Sequence, residues 1–204
     1  MIKKYIDGIK KIGMKNAIKS LYKRIYFKIL KKRFKFDSWH ASSPIESKPY
    51  KFQVIEIVNK SKPTNVLEIG SGLGEILANL SAPIRLGVDC DLGVINAANY
   101  INNEIVFFHH DFKNIESIQL PVSEIDILLL INWTHEINWE TLKINLHKLN
   151  KKYPINSIVI DTINPDIEGY PHHHKDNLRE IGTIQSSIDG IDEVRKINVI
   201  KFKK

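Results

Sequence analysis

Three glycines at alternate positions, Gly70, Gly72 and Gly74, stand directly after a short apolar run in the stretch VLEIGSGLGE, residues 66–75. Residues 65–69 read as a buried strand, with Pro63 before it. Glycine reaches φ > 0 and lets a backbone approach a ligand with no Cβ in the way. The spacing therefore predicts a tight turn from strand into helix, whose free N–H groups would suit an anionic group such as a carboxylate. Nineteen residues after Gly70 a second apolar strand, 84–88, ends at Asp89. A carboxylate there can accept both hydroxyl hydrogens of a ribose.

Around this turn the chain alternates helix and strand. A helix is expected at about 49–60, and further apolar runs follow at 105–108, 125–131 and 157–161, with helical stretches between them. A helix at 173–181 and a closing hairpin at 183–188 and 194–203 complete the pattern. Such alternation implies an α/β, Rossmann-like, doubly wound sheet of seven strands with a terminal antiparallel hairpin. Basic N-terminal helices precede it, which divides the chain into an extension and cap, 1–48, and the main domain, 49–204.

Nucleotide-type ligands are the natural occupants of such a turn. A dinucleotide fingerprint orders its glycines G-x-G-x-x-G, whereas here the last position is Glu75, a carboxylate poorly placed beside a pyrophosphate. A fold whose glycines only shape a turn is the bland alternative. The pattern E-x-G-x-G-x-G, with Glu68 ahead of the first glycine, resembles motif I of the class I S-adenosylmethionine-dependent methyltransferases. The resemblance runs over about residues 49–204 and names S-adenosyl-L-methionine as cofactor. It implies that Glu68, Gly70, Ser71, Gly72 and Gly74 pass the methionine part and that Asp89 holds the ribose. HHDF, residues 109–112, matches the station against the adenine, with Asp111 on the amino group and Phe112 as its ring neighbour. Residues 125–137, IDILLLINWTHEI, resemble the fourth strand and its exit toward the transferred methyl, where Asn132 joins the cofactor set.

The exit also bears on the acceptor. Methyltransferases acting on base amines carry D/N/S-P-P-aromatic here, and this chain has neither proline. His135-Glu136 resembles instead the H-D-W stretch of small-molecule O-methyltransferases, in which the histidine deprotonates the acceptor hydroxyl; Glu136 replaces the aspartate and Ile137 the tryptophan. That makes His135 a candidate general base, the alternative being a packing or wall histidine. Asp161 ends the fifth strand, but Thr162 follows where metal-dependent relatives have asparagine, so no metal is expected. His172 and His174, after Pro171, fall where the acceptor pocket is often roofed and are candidate substrate contacts. Trp39, His40 and Tyr50 in residues 36–50 are further candidates, from the segment that commonly closes over cofactor and acceptor. Joined to the lysine-rich start, this segment is loosely similar to small methyltransferases of bacterial surface-polysaccharide gene sets, which implies a small-molecule or sugar hydroxyl as acceptor.

Charge is concentrated at one end. The net +7 divides into +12 over residues 1–36, where 13 Lys and Arg face one acid, Asp7, and −5 over residues 37–204. Ile2, Tyr5, Ile6 and Ile9 recur at helical spacing before Gly13; Ala17, Ile18, Leu21, Tyr22, Ile25, Ile29 and Leu30 then form a second stripe with lysines beside it. Such a stripe packs on the domain, or lies on an anionic membrane surface, or follows a phosphate backbone, the last being disfavoured. No uncharged apolar run approaches the roughly 20 residues of a spanning helix. The one cysteine, Cys90, lies between two aspartates and offers neither a disulfide nor a reactive thiolate. A cytoplasmic protein, peripheral at the inner membrane face if its helices bind lipid, is the expectation. Two other functions stay open: a catalytically silent binding protein of methyltransferase fold, and a membrane-recruited adaptor acting through the basic helices.

Overall fold

The computed structural model describes residues 14–42, 44–164, 166–167, 173 and 175–203. Seven strands form one sheet: β1 (Asn65–Ile69), β2 (Ile84–Asp89), β3 (Val106–His109), β4 (Ile125–Leu130), β5 (Ile155–Ile163), β6 (Gly182–Asp189) and β7 (Arg195–Phe202). Their order is β3-β2-β1-β4-β5-β7-β6. The first five run parallel, and β7 lies antiparallel to both β5 and β6. β1 is buried along its whole length, as a central parallel strand covered on both faces must be. The strand order reverses between β1 and β4, which opens a crevice at the carboxyl ends of the central strands.

Two apolar cores fill the two faces. On one, Val66, Ile127, Leu129 and Val159 pack against α3 (Pro49–Ser61) and α4 (Leu92–Ile101). On the other, Leu67, Leu86, Leu128 and Ile158 meet α5 (Trp139–Lys152) and α6 (Lys175–Ile181). Local chemistry sets the helix ends. Pro49 opens α3 at its first turn, and the Asp91 carboxylate accepts the Gly93 and Val94 N–H groups at the start of α4.

The N-terminal segment shares the first core. α1 (Met14–Phe34) buries Phe27 and Leu30, and the chain after it buries Phe36 and Ile45 in the same cluster as the sheet. Full burial of side chains of this size contributes about 1.5–3 kcal/mol each. A Cβ on Gly93 would lie 2.6 Å from the Phe34 carbonyl, so the end of α1 and the start of α4 touch backbone to backbone. The short helix α2 (Ser38–Ser42) and a 3₁₀ turn, Ile45–Ser47, then bring the chain over the crevice. The stripe expected on one face of α1 is split: Leu30 points in, while Ile18, Leu21, Tyr22, Ile25 and Ile29 point out. The first expected helix, before Gly13, lies outside the described residues.

One expectation is corrected. The glycine turn does not lead into an α-helix; a single 3₁₀ turn, Leu77–Asn79, follows. Only 14 residues separate β1 from β2, and the turn itself takes up the first of them. The remainder is shorter than a helical crossover needs. No helix N-terminus therefore faces the crevice at this point.

Candidate functional site

The crevice is a cavity of about 630 Å³ roofed by Asp37, Trp39, His40, Lys48 and Lys51. Its floor is the glycine turn, in which Gly70, Gly72 and Gly74 all have positive φ, 71°, 54° and 73°. The Gly70 and Ser71 N–H groups both donate to the Val88 carbonyl, at 2.8 and 3.0 Å, so the turn is fastened to the end of β2. Gly72 N–H donates to Asp89 Oδ2 at 2.9 Å, and Asp91 N–H donates to Asp89 Oδ1 at 3.0 Å. Each Asp89 oxygen thus has one fixed backbone donor and a remaining lone pair, on a side chain that lines the cavity.

Glu68 also reaches the cavity, although almost wholly buried. Burial pushes its carboxyl up to about 8, with Lys51 pulling the other way and Asp89 adding to the rise. Among the described residues, one of its oxygens has no partner, and neither has the buried hydroxyl of Ser71. Two unpartnered polar groups on residues that line the cavity at the glycine turn are what a polar cofactor would satisfy.

Asp111 and Phe112 line the cavity beside Asp89, whose carbonyl accepts the His110 N–H at 2.9 Å. Asp111 accepts the Lys113 N–H at 2.9 Å, and Phe112 meets Trp133 edge to face at 5.1 Å. Trp133 lies across the first glycine: a Cβ on Gly70 would come within 2.5 Å of its ring, and its indole N–H donates to the Ile69 carbonyl. Asn132 has φ 70°, held by two bonds. Its N–H donates to Asp161 Oδ1 at 2.7 Å, and its side-chain oxygen accepts from Arg195 at 3.0 Å. Arg195 is buried, pairs with Asp161 and Asp192, and stacks on the Tyr50 ring at 3.7 Å.

The roof carries Trp39, His40, Lys48 and Lys51. His40 lies closest to the turn, its Nδ1 within 3.2 Å of where a Gly72 Cβ would be. Lys48 Nζ stands 5.0 Å over the Trp39 ring, and burial together with the Lys51 and Arg195 charges lowers its pKa to about 8. Glu75 binds the roof to the floor: it accepts from the Ile45 N–H at 2.9 Å and from Lys51 at 3.4 Å, and Lys23 of α1 stands 3.6 Å away.

Of the residues expected from sequence, Glu68, Gly70, Ser71, Gly72, Asp89, Asp111, Phe112, Asn132, Glu136, Trp39 and His40 line this one cavity. Gly74 stands behind it, against Phe107. Two residues are placed elsewhere. Tyr50 is buried beneath Arg195, and burial pushes its hydroxyl well above the usual range. His135 is buried in the 3₁₀ turn Thr134–Glu136 and is not part of the cavity wall, whereas Glu136 is. Successive residues of a 3₁₀ turn point about 120° apart, so the two cannot face the same space. His172 and His174 lie outside the described residues; His173 is buried, and its Nε2–H donates to the Thr134 carbonyl at 2.7 Å.

Sequence reasoning did not assign Trp133, Lys48, Lys51 or Arg195. Trp133 stood inside the quoted fourth-strand exit, next to Asn132, and its position before a turn was the available signal. The lysines were hidden by the abundance of lysine, and Arg195 by its distance of 63 positions from Asn132.

No protein-family model matches the chain, and no curated protein matches it. Solved structures do. The N-methyltransferase NodS of Bradyrhizobium japonicum WM9, in complex with S-adenosylhomocysteine, superimposes with a TM-score of 0.66 at 14% identity, covering 87% of this chain and 98% of that one. The magnesium protoporphyrin IX methyltransferase ChlM of Synechocystis PCC 6803, with bound S-adenosylmethionine, gives 0.63 at 12% identity over 92% and 97%. A TehB-like S-adenosylmethionine-dependent methyltransferase of Corynebacterium glutamicum ATCC 13032 gives 0.60 at 15% identity over 88% and 99%. The fold is that of the class I S-adenosylmethionine-dependent methyltransferases.

Proposed function

We propose that this chain binds S-adenosylmethionine and transfers its methyl group to a hydroxyl of a small molecule or sugar. The observation that carries the reading is Asp89, a carboxylate at the tip of β2 held by the Gly72 and Asp91 amides and facing the cavity. Asp89 would take the ribose hydroxyls, the turn from Gly70 to Gly74 the methionine part, and Asp111 with Phe112 the adenine. With no helix N-terminus at the turn, the positive charge needed by the methionine carboxylate falls to Lys48. When bound, the cofactor supplies a methyl group made electrophilic by its sulfonium.

The chain's own contribution is alignment and removal of a proton. An acceptor hydroxyl that gains a methyl must release its hydrogen, and Glu136, on the cavity wall at the exit of β4, is the group we assign to accept it. His135, buried off the cavity wall, is assigned no direct part. Trp39, exposed at the mouth with Lys48 over its ring, offers a face on which a sugar could stack.

Calorimetric titration with S-adenosylmethionine and S-adenosylhomocysteine tests the cofactor. Micromolar binding is expected, weakened tenfold or more, about 1.4 kcal/mol, in Asp89→Ala. Absence of binding by folded protein would overturn the reading. On the acceptor side, Glu136→Gln is expected to lose turnover 10²-fold or more while cofactor affinity stays unchanged; turnover lost in His135→Asn but kept in Glu136→Gln would return the role to the histidine.

A further inference from the structure

Helix α1 has two apolar faces, and among the described residues only one of them is covered. Phe27 and Leu30, with Ser20, face the domain and are buried. Ile18, Leu21, Tyr22, Ile25 and Ile29 face away, and they are 64%, 50%, 72%, 54% and 60% exposed. At about 3.6 residues per turn these five fall within an arc of roughly 100° opposite the buried side chains. Chance scatter of surface apolar residues does not make a continuous line over three turns.

The borders of that line are cationic. Lys19 flanks it on one side, Arg24 and Lys28 on the other, and Lys32 continues it toward the C-terminal end; all four are exposed. No acid occurs between Asp7 and Asp37, while residues 37–204 carry a net −5. The positive excess therefore belongs to the N-terminal segment that carries this face. An apolar stripe bordered by Lys and Arg, on a helix whose opposite side is anchored to a folded domain, is suited to the boundary between headgroups and acyl chains.

We infer that α1 is a peripheral membrane anchor for bilayers containing anionic lipid. The five outward side chains enter the boundary to a depth of about 5–10 Å, and Lys19, Arg24 and Lys28 pair with lipid phosphates. Charge complementarity decides between this occupant and the others. A nucleic-acid backbone would reward the cations but leave five apolar side chains in water. A second copy meeting this face across a two-fold axis would set Arg24 and Lys28 near their own copies. The negative remainder of the domain is repelled by the same surface, which would fix the orientation of the bound protein. The inference does not depend on methyl transfer.

The test uses the full chain and sedimentation with vesicles of phosphatidylcholine, with and without phosphatidylglycerol. Binding is expected only to the anionic vesicles, falling steeply with salt, and dropping tenfold or more in the double variant Ile25→Glu/Ile29→Glu. Both side chains are exposed, so thermal unfolding and S-adenosylmethionine affinity should be unchanged in that variant, and either readout identifies a folding defect. As an independent probe, Tyr22→Trp should shift its emission to the blue on addition of anionic vesicles. No binding at low salt, equal binding by the double variant, or no emission shift would overturn the inference. So would a dimer in solution that the double variant dissociates, or retention by duplex DNA in place of vesicles.

Discussion

The indole N–H of Trp133 donates to the Ile69 carbonyl at 2.6 Å, and this single bond lays the exit of β4 across the first glycine of the turn. Gly70 can sit there because it has no side chain: an added Cβ would meet the ring at 2.5 Å, on a backbone with φ 71°. Gly70→Ala is expected to cost about 2–3 kcal/mol, part from the left-handed backbone and part from the collision. Trp133→Ala should lift only the collision. A double-mutant cycle by denaturant unfolding separates the two, and strict additivity would show that the ring moves aside freely.

Asn132 owes its positive φ to Asp161 and Arg195, which are paired in the wall behind it. Arg195→Met leaves the Asp161 carboxylate buried without its charge partner and should destabilise the protein by about 3–5 kcal/mol. Asp161→Asn in the same chain is expected to restore much of that loss. Chemical unfolding of the single and the double variant checks this; an Arg195→Met protein as stable as the parent would contradict it.

Glu68 makes stability depend on pH in the direction opposite to a salt-bridged acid. Its folded carboxyl holds a proton up to about 8, whereas an unfolded chain releases it near 4.3 or so. The folded state therefore binds more protons through this window, and stability falls as pH rises across it. Glu68→Gln should flatten that dependence, raising Tm at pH about 9 and changing it little at pH about 5. Scanning calorimetry at both pH values is the measurement, and parallel shifts at the two would refute the argument.

Burial, with the Lys51 and Arg195 charges, lowers the pKa of Lys48 to about 8. If it holds the cofactor carboxylate, binding must take up a proton there, so affinity for S-adenosylhomocysteine should fall by up to tenfold per pH unit above that value. Lys48→Met should weaken binding near neutrality and abolish the alkaline slope. Titrations in buffers of differing ionisation enthalpy report the proton uptake; an unchanged slope in the variant would remove Lys48 from the site.

The sheet was legible because its strands are continuous apolar runs, such as residues 125–131, separated by helical periods, and because glycines at alternate positions mark a turn at a strand end. Glu68, Asp89 and Asp111 were legible for a related reason: each stands at a fixed offset from such a strand. What the sequence hid was direction. Amphipathic spacing could not tell that Ile25 faces out while Phe27 faces in, since both lie on apolar lines of one helix. Adjacent His135 and Glu136 likewise part company only once the 3₁₀ turn is known. The missing helix after Gly74 is a matter of chain length, countable in advance but overridden by the strength of the turn signal.

Glu75 joins three parts of the chain at one carboxylate: Lys23 of α1, the Ile45 amide of the roof and Lys51 at the start of α3. Lifting the roof off the turn breaks the Ile45 and Lys51 contacts to this carboxylate together. The roof and the glycine turn are therefore expected to open as one unit, with amides that exchange with solvent at a common rate. In such a protein, admitting a ligand and loosening the binding loop draw on the same contacts.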